Sequence, residues 1–369
     1  MPDDMSKGPE TEDYLVAGQL SGGTGGYGGP VGTSAAEYDL ETKGVEPGDE
    51  YDDTVSVQQL TQMELAWRRF RRHPVALVGA TMLGIIVAMT IFAPFLTHTP
   101  PDLPHATPPN QWITTIPPCG SFCGSTPPTL ANFPDRIMGV DSLGHSIWSD
   151  VLYGGRISLL IGIGAAFLSV LIGTAMGAIS GYFGGWVDML LQRFTDMILS
   201  IPFLPLMIAV SAIIIHNRTL HQNSTFIATF IILAFGLLTW PGVTRIVRSY
   251  YLTFREQEFT EAAKAVGVND FRIIFRHILP NAIGPIIVLF TLNVAGFITL
   301  EATLDFLGLG IIFPPTPTWG NILTAAQDEL LLGNWWWATF PGLMLLLTVL
   351  AINFLGDGLR DALDVRSKD

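Results

Sequence analysis

Few residues in this 369-residue chain are of a kind that could do chemistry, and their spacing removes most of it. Cys119 and Cys123 cannot by themselves fill a tetrahedral zinc site. No His-Glu-x-x-His pattern places two imidazoles on one helix face. A disulfide between the two cysteines in an oxidising compartment and two free thiols both fit the sequence. None of Lys7, Lys43, Lys264 and Lys368 is followed by Ser or Thr, so the loop that cradles nucleotide phosphates is missing. Ser21–Gly32 has seven Gly in twelve positions, but no Lys closes it. No catalytic residue, cofactor or metal is therefore expected in the chain. What remains is polar chemistry. Glu301 and Asp305, four residues apart, share a helix face. They suit either a mouth that attracts cations or a helix-end contact with a neighbouring subunit. Asn293 and Asn353 interrupt apolar runs, where such groups either line a path or bond between helices. His145 reads as a solvated loop histidine.

The elements that must position these residues are apolar. Hydrophobic residues make up 49% of the chain and charged ones 14%, and mean hydropathy is +0.42. A soluble domain carries about 25% charged residues. The net charge of -13 belongs mostly to residues 1–60, which hold 13 Asp and Glu against two Lys. Residues 1–58 read as a disordered acidic cytoplasmic tail, too polar to offset ordering entropy. Residues 59–74 read as an amphipathic juxtamembrane helix on the lipid surface, with Arg68, Arg69, Arg71 and Arg72 at its end. No nucleic-acid partner is expected.

Six transmembrane spans are expected near 75–97, 157–180, 201–216, 225–243, 283–302 and 337–356. The third carries Pro202 and Pro205 at its start. With both termini in the cytoplasm, inner segments hold 16 of the 19 basic residues and the outer ones only Arg136, Arg156 and Arg218. Residues 98–156 then form a long outer loop. His216 and His221 flank a short outer turn, and Trp335, Trp336 and Trp337 read as an interfacial belt. An intramembrane hydrolase would need a nucleophile and a base at one depth. No His lies inside any of the six segments; His216 only closes the third. An ion channel would need selectivity elements and no docking loop.

The inner segment 244–282 is long and holds six basic residues. Glu261–Val266 favours helix, and Gly267 can take the left-handed conformation that ends one. Asn269 or Asp270 can cap the next helix, in which Phe271, Ile274, Phe275 and Ile278 fall on one face. Pro280 follows that helix. Ala262, Ala263 and Ala265 would let a partner approach closely. Packing on the chain's own bundle is the plainer alternative.

Glu261-Ala262-Ala263, then Gly267, then Leu279-Pro280 resembles the EAA loop of ABC importer permeases. The stretches Gly139–Leu159, Gly181–Asp196, Glu301–Gly310, Pro317–Asn321 and Gly356–Asp364 resemble the peptide and nickel importer branch, of OppC/DppC type. That resemblance spans about residues 60–366 and implies an all-α type I importer fold, with 157–366 as the permease domain. It implies a coupling helix that docks an ATPase through Glu261, Ala262, Ala263, Gly267, Leu279 and Pro280. It further implies a homologous permease, two ATPase subunits that carry Mg-ATP, and an extracytoplasmic substrate-binding protein. Peptides are the expected cargo, with nickel as the alternative. The branch has Arg-Asp where this chain has His145-Ser146, so any ion pair made there is absent.

Overall fold

A computed structural model describes residues 62–97, 138–141, 145–216, 223–311 and 315–363. The readings of the acidic tail, of Cys119 and Cys123, of His221 and of most of the 98–156 loop lie outside these residues. Among the described residues the regular structure is helical, apart from one antiparallel bridge between Val140 and Ser146.

Helix α1 (Gln62–Arg72) ends in the arginines, and Phe70 is buried against Ala76 and Ala362. Helix α2 (Pro74–Ile91) begins with Pro at its first position, which needs no N–H there. The His73 ring caps it by accepting from the Ala76 N–H at 3.2 Å. A single turn, α3 (Ala93–Leu96), follows. Helix α4 (Ile147–Phe183) runs the full height of the bundle and stops at Gly184, whose φ is +64°. Gly185 follows at +54°, and two successive left-handed residues turn the chain sharply into α5 (Gly185–Leu199). Then come α6 (Phe203–His216), α7 (Ser224–Arg255), the short α8 (Glu258–Ala265), α9 (Asp270–Phe306), α10 (Trp319–Leu331) and α11 (Trp336–Leu363).

Five of these helices are long and apolar enough to cross a membrane. The pair α5–α6, bent by 63°, makes a sixth if it counts as one span. Leu77, Val78, Ile85 and Ile91 of α2 point away from the protein, as expected where hydrocarbon is the solvent.

Three sequence boundaries need correction. The second span begins at Ile147 rather than 157, because Ser149, Asp150 and Ser158 are buried by the chain's own packing and do not interrupt the helix. The third is not 201–216 alone, since α6 has only 14 residues and needs α5. The inner segment 244–282 is mostly helix that continues the neighbouring spans, because α7 runs to Arg255 and α9 starts at Asp270.

The core is organised by small residues. Gly173, Gly177 and Gly181 line one face of α4 at intervals of four and meet α7. A Cβ at these positions would lie 2.5 Å from Val243 Cβ, 2.8 Å from Val247 Cβ and 2.6 Å from Tyr251 Cβ. With no Cβ, the backbones approach closely and gain dispersion contact, which is what holds helices together in lipid.

Candidate functional site

Helix α8 stands apart from the spans. Its first turn carries Glu258 and Glu261, which suit the positive end of a helix dipole. Thr260 donates from Oγ1 to the Phe254 carbonyl at 2.8 Å, and Thr260 and Ala263 face inward. Gly267, at φ +76°, ends it: Gly267 N–H donates to Lys264 O at 2.9 Å and Val268 N–H to Ala263 O at 3.1 Å. That is the paired closure expected of a left-handed Gly cap. The Asn269 side chain then accepts from Phe271 N–H at 3.0 Å and starts α9.

Of the residues read from the loop, Glu261, Ala262, Gly267 and Pro280 are exposed, Leu279 is half-buried and Ala263 is buried. Ala263 therefore packs inward, on the same face as Thr260, and the approachable face is Glu258, Glu261, Ala262, Ala265 and Val266. The expected stripe of Phe271, Ile274, Phe275 and Ile278 is split. Ile273, Ile274 and Ile278 are buried, whereas Phe271 and Phe275 are 64% and 58% exposed. The cause is a wide, π-type turn over Ile273–Ile278, which shifts the facing by a residue. Nor does the helix end before Pro280; α9 continues through it into the span.

At the same end of the bundle, the Tyr182 hydroxyl donates to Asp270 Oδ1 at 2.6 Å, and Lys264 Nζ lies 5.5 Å from the Tyr182 ring centroid. Arg248 grips Asp188 with two bonds of 2.5 Å, and Arg245 bonds Asp196 at 2.5 Å, so α5 is fastened to α7.

The opposite end holds a buried polar network. Glu301 and Asp305 are 0% and 2% exposed, inside the chain's own packing and at neither an open mouth nor a free helix end. Asp305 accepts from Ile311 N–H at 2.9 Å and from the Thr318 hydroxyl. Thr318 and Asn321 cap α10 reciprocally, and Asn321 Nδ2 donates to the carbonyls of Ile311 at 3.0 Å and Thr316 at 2.9 Å. Trp319 donates from Nε1 to Val151 O at 2.9 Å. His145 is buried as well, with Nδ1 2.9 Å from Asp141 Oδ2, so it is not a solvated loop residue. Trp336 and Trp337 are also buried; only Trp335 of the three is exposed.

Asn293 Nδ2 bonds back to Leu289 O of its own helix at 2.7 Å, and Asn353 is half-buried. Neither lines the cavity of about 350 Å³ at the break between α5 and α6. That cavity is walled by Ile198, Pro202, Phe203, Leu206, Leu238 and Thr239, of which the sequence reading singled out only Pro202. The Pro202–Pro205 signal was there, but apolar lining has no pattern distinct from core.

The described residues thus combine apolar helices of spanning length with a short helix that packs on them by one face and exposes the other. Residues 173–369 match the family model for the binding-protein-dependent transport system inner membrane component, and residues 61–118 match that for the N-terminal transmembrane domain of oligopeptide transport permease C. The chain belongs to this family of permeases. It is 35% identical over 305 residues to the dipeptide transport system permease protein DppC of Alkalihalophilus pseudofirmus, covering 82% of this chain and 90% of that one. It is 37% identical over 304 residues to the glutathione transport system permease protein GsiD of Escherichia coli, with the same coverage. The oligopeptide transport system permease protein OppC of Haemophilus influenzae is 37% identical over 321 residues, covering 86% and 93%.

Proposed function

We propose that this chain forms half of the path of an ATP-driven peptide importer, paired with a homologous permease. Two ATPase subunits engage the pair through α8 and its counterpart, and a binding protein delivers cargo at the opposite end. ATP hydrolysis takes place on the ATPase subunits. The termini lie in the cytoplasm, where most of the basic residues are expected. The relatives' names, dipeptide, oligopeptide and glutathione permeases, support peptide cargo.

The observation that carries this reading is the exposed face of α8. Glu258, Glu261, Ala262, Ala265 and Val266 (80% exposed) are presented by a helix closed on Gly267. A short helix buries too little of itself to persist without a partner. Gly267→Val forces a β-branched residue into the left-handed region, at a cost of roughly 1–2 kcal/mol. It is expected to lower peptide uptake by about tenfold while membrane insertion is unchanged. Proteoliposomes with the whole complex, assayed with di-, tri- and longer peptides and with nickel, provide the check. Full uptake by the variant would refute the docking role, and nickel uptake without peptide uptake would refute the cargo.

A further inference from the structure

The corner between α4 and α5 is unusually tied down. Gly184 and Gly185 make the turn, and a Cβ at Gly184 would sit 2.8 Å from Arg255 Nη1. Arg255 itself donates from Nη1 to the Tyr182 carbonyl at 3.3 Å. Three residues beyond the start of α5, Asp188 is held by Arg248 of α7 and accepts from the Ser180 hydroxyl at 2.5 Å. The last turn of α4, the last turns of α7 and the first turn of α5 thus form one block. From the α4 end of this block Tyr182 reaches the segment that carries α8. Its side chain is 6% exposed, its hydroxyl bonds Asp270 at the start of α9, and its ring lies beneath Lys264 of α8. Tyr251 and Thr260 also join α7 to this segment, but each ends on a backbone carbonyl. Tyr182–Asp270 is the side-chain pair that leads to the corner itself. Beyond the corner lies α5, and beyond α5 the 63° break with its cavity of about 350 Å³.

We infer that Tyr182 is a positioning residue for transport: through Asp270 and Lys264 it joins α8 to the α4–α5 corner, so that displacement of α8 is delivered to the broken span α5–α6. This rests on the reading of α8 as the helix that meets the ATPase. A conformational signal needs a contiguous mechanical connection whose ends move together, and a hydrogen bond from a buried phenol to a carboxylate provides one.

The test uses the complete complex in proteoliposomes and measures peptide uptake and ATP hydrolysis together. Tyr182→Phe removes the hydroxyl and keeps the ring beneath Lys264. Asp270→Ala removes the acceptor. Each is expected to lower uptake per ATP hydrolysed by about fivefold or more, the effect of losing one charge-assisted hydrogen bond. ATPase subunits should co-purify at the unaltered ratio, and the melting temperature should hold. The double variant should be no worse than either single one, because both remove the same bond. An unchanged uptake-to-hydrolysis ratio in Tyr182→Phe, additive losses in the double variant, or loss of the ATPase subunits from Tyr182→Phe would each overturn the inference. Failure of the underlying reading would show separately, as wild-type behaviour of Gly267→Val.

Discussion

Asp305 accepts from two buried donors, the Ile311 N–H and the Thr318 hydroxyl. A Cβ on Gly310 would fall on its carboxylate, and one on Gly320 would press 2.6 Å from the Ala302 Cα. The carboxylate is therefore the centre around which the chain folds back from α9 to α10. Asp305→Ala strips the buried Ile311 N–H of its acceptor and takes one from the Thr318 hydroxyl, and is expected to destabilise by about 2 kcal/mol. Asp305→Asn keeps an acceptor oxygen for one of them and should lose less. Thermal unfolding of the purified complex, compared between the two variants, measures the difference. The pairing of Glu301 with Asp305 on one face was legible from their spacing. Their burial was not, because periodicity says which residues share a face and not what covers it. The same holds for His145, whose partner Asp141 lies four residues away in a segment that reads as loop. For Ala262 and Gly267 the sequence was sufficient, since helix propensity and a left-handed cap are local properties.

At the level of elements, the packing of α4 on α7 rests on Gly173, Gly177 and Gly181. Gly177→Ala would put a Cβ 2.8 Å from both the Thr244 carbonyl oxygen and Val247 Cβ, with backbone on one side and a stiff β-branched side chain on the other. Neither can yield cheaply. The variant is expected to lose roughly 1–3 kcal/mol through overpacking, visible as a lower melting temperature. Gly84, which has open space around it, provides the control: Gly84→Ala should be neutral or slightly stabilising. The spans themselves were legible from length and apolarity. Their ends were not, for a physical reason. Val247 and Tyr251 continue α7 beyond the expected boundary because they are buried against α4, and Asp150 sits in α4 at 0% exposure. In both cases tertiary cover replaces the lipid that a hydropathy reading assumes. The wide turn at Ile273–Ile278 was equally out of reach, since it changes the facing of Phe271 and Phe275 without any residue that announces it.

For the whole molecule, the proposed orientation makes α8 and the α4–α5 corner cytoplasmic and α10 extracytoplasmic. With Cys119 and Cys123 replaced by Ser, Lys264→Cys should react with a membrane-impermeant maleimide in inside-out vesicles and not in intact cells. Gln327→Cys on α10 should behave oppositely. Labelling of Lys264→Cys from the outside would reverse the topology and with it the docking role. The proposed orientation rests on the distribution of Arg and Lys, because cytoplasmic retention of basic residues acts segment by segment and needs no tertiary knowledge. What basic residues cannot say is which spans touch. Here the pairing is long-range: a Cβ on Gly79 of α2 would lie 2.7 Å from Phe354 Cβ of α11, and His73 is 3.3 Å from Asp361. Arg156 of α4 closes the other end of α2, donating to the carbonyls of Thr90 at 2.7 Å and Ile91 at 2.6 Å. Span α2 thus finds its main neighbour in α11, which follows all the other described spans in the sequence. The Gly79 notch is shaped to α11 alone, so the seating of α2 in the bundle waits on the insertion of α11 and is not complete when α2 itself has crossed the membrane.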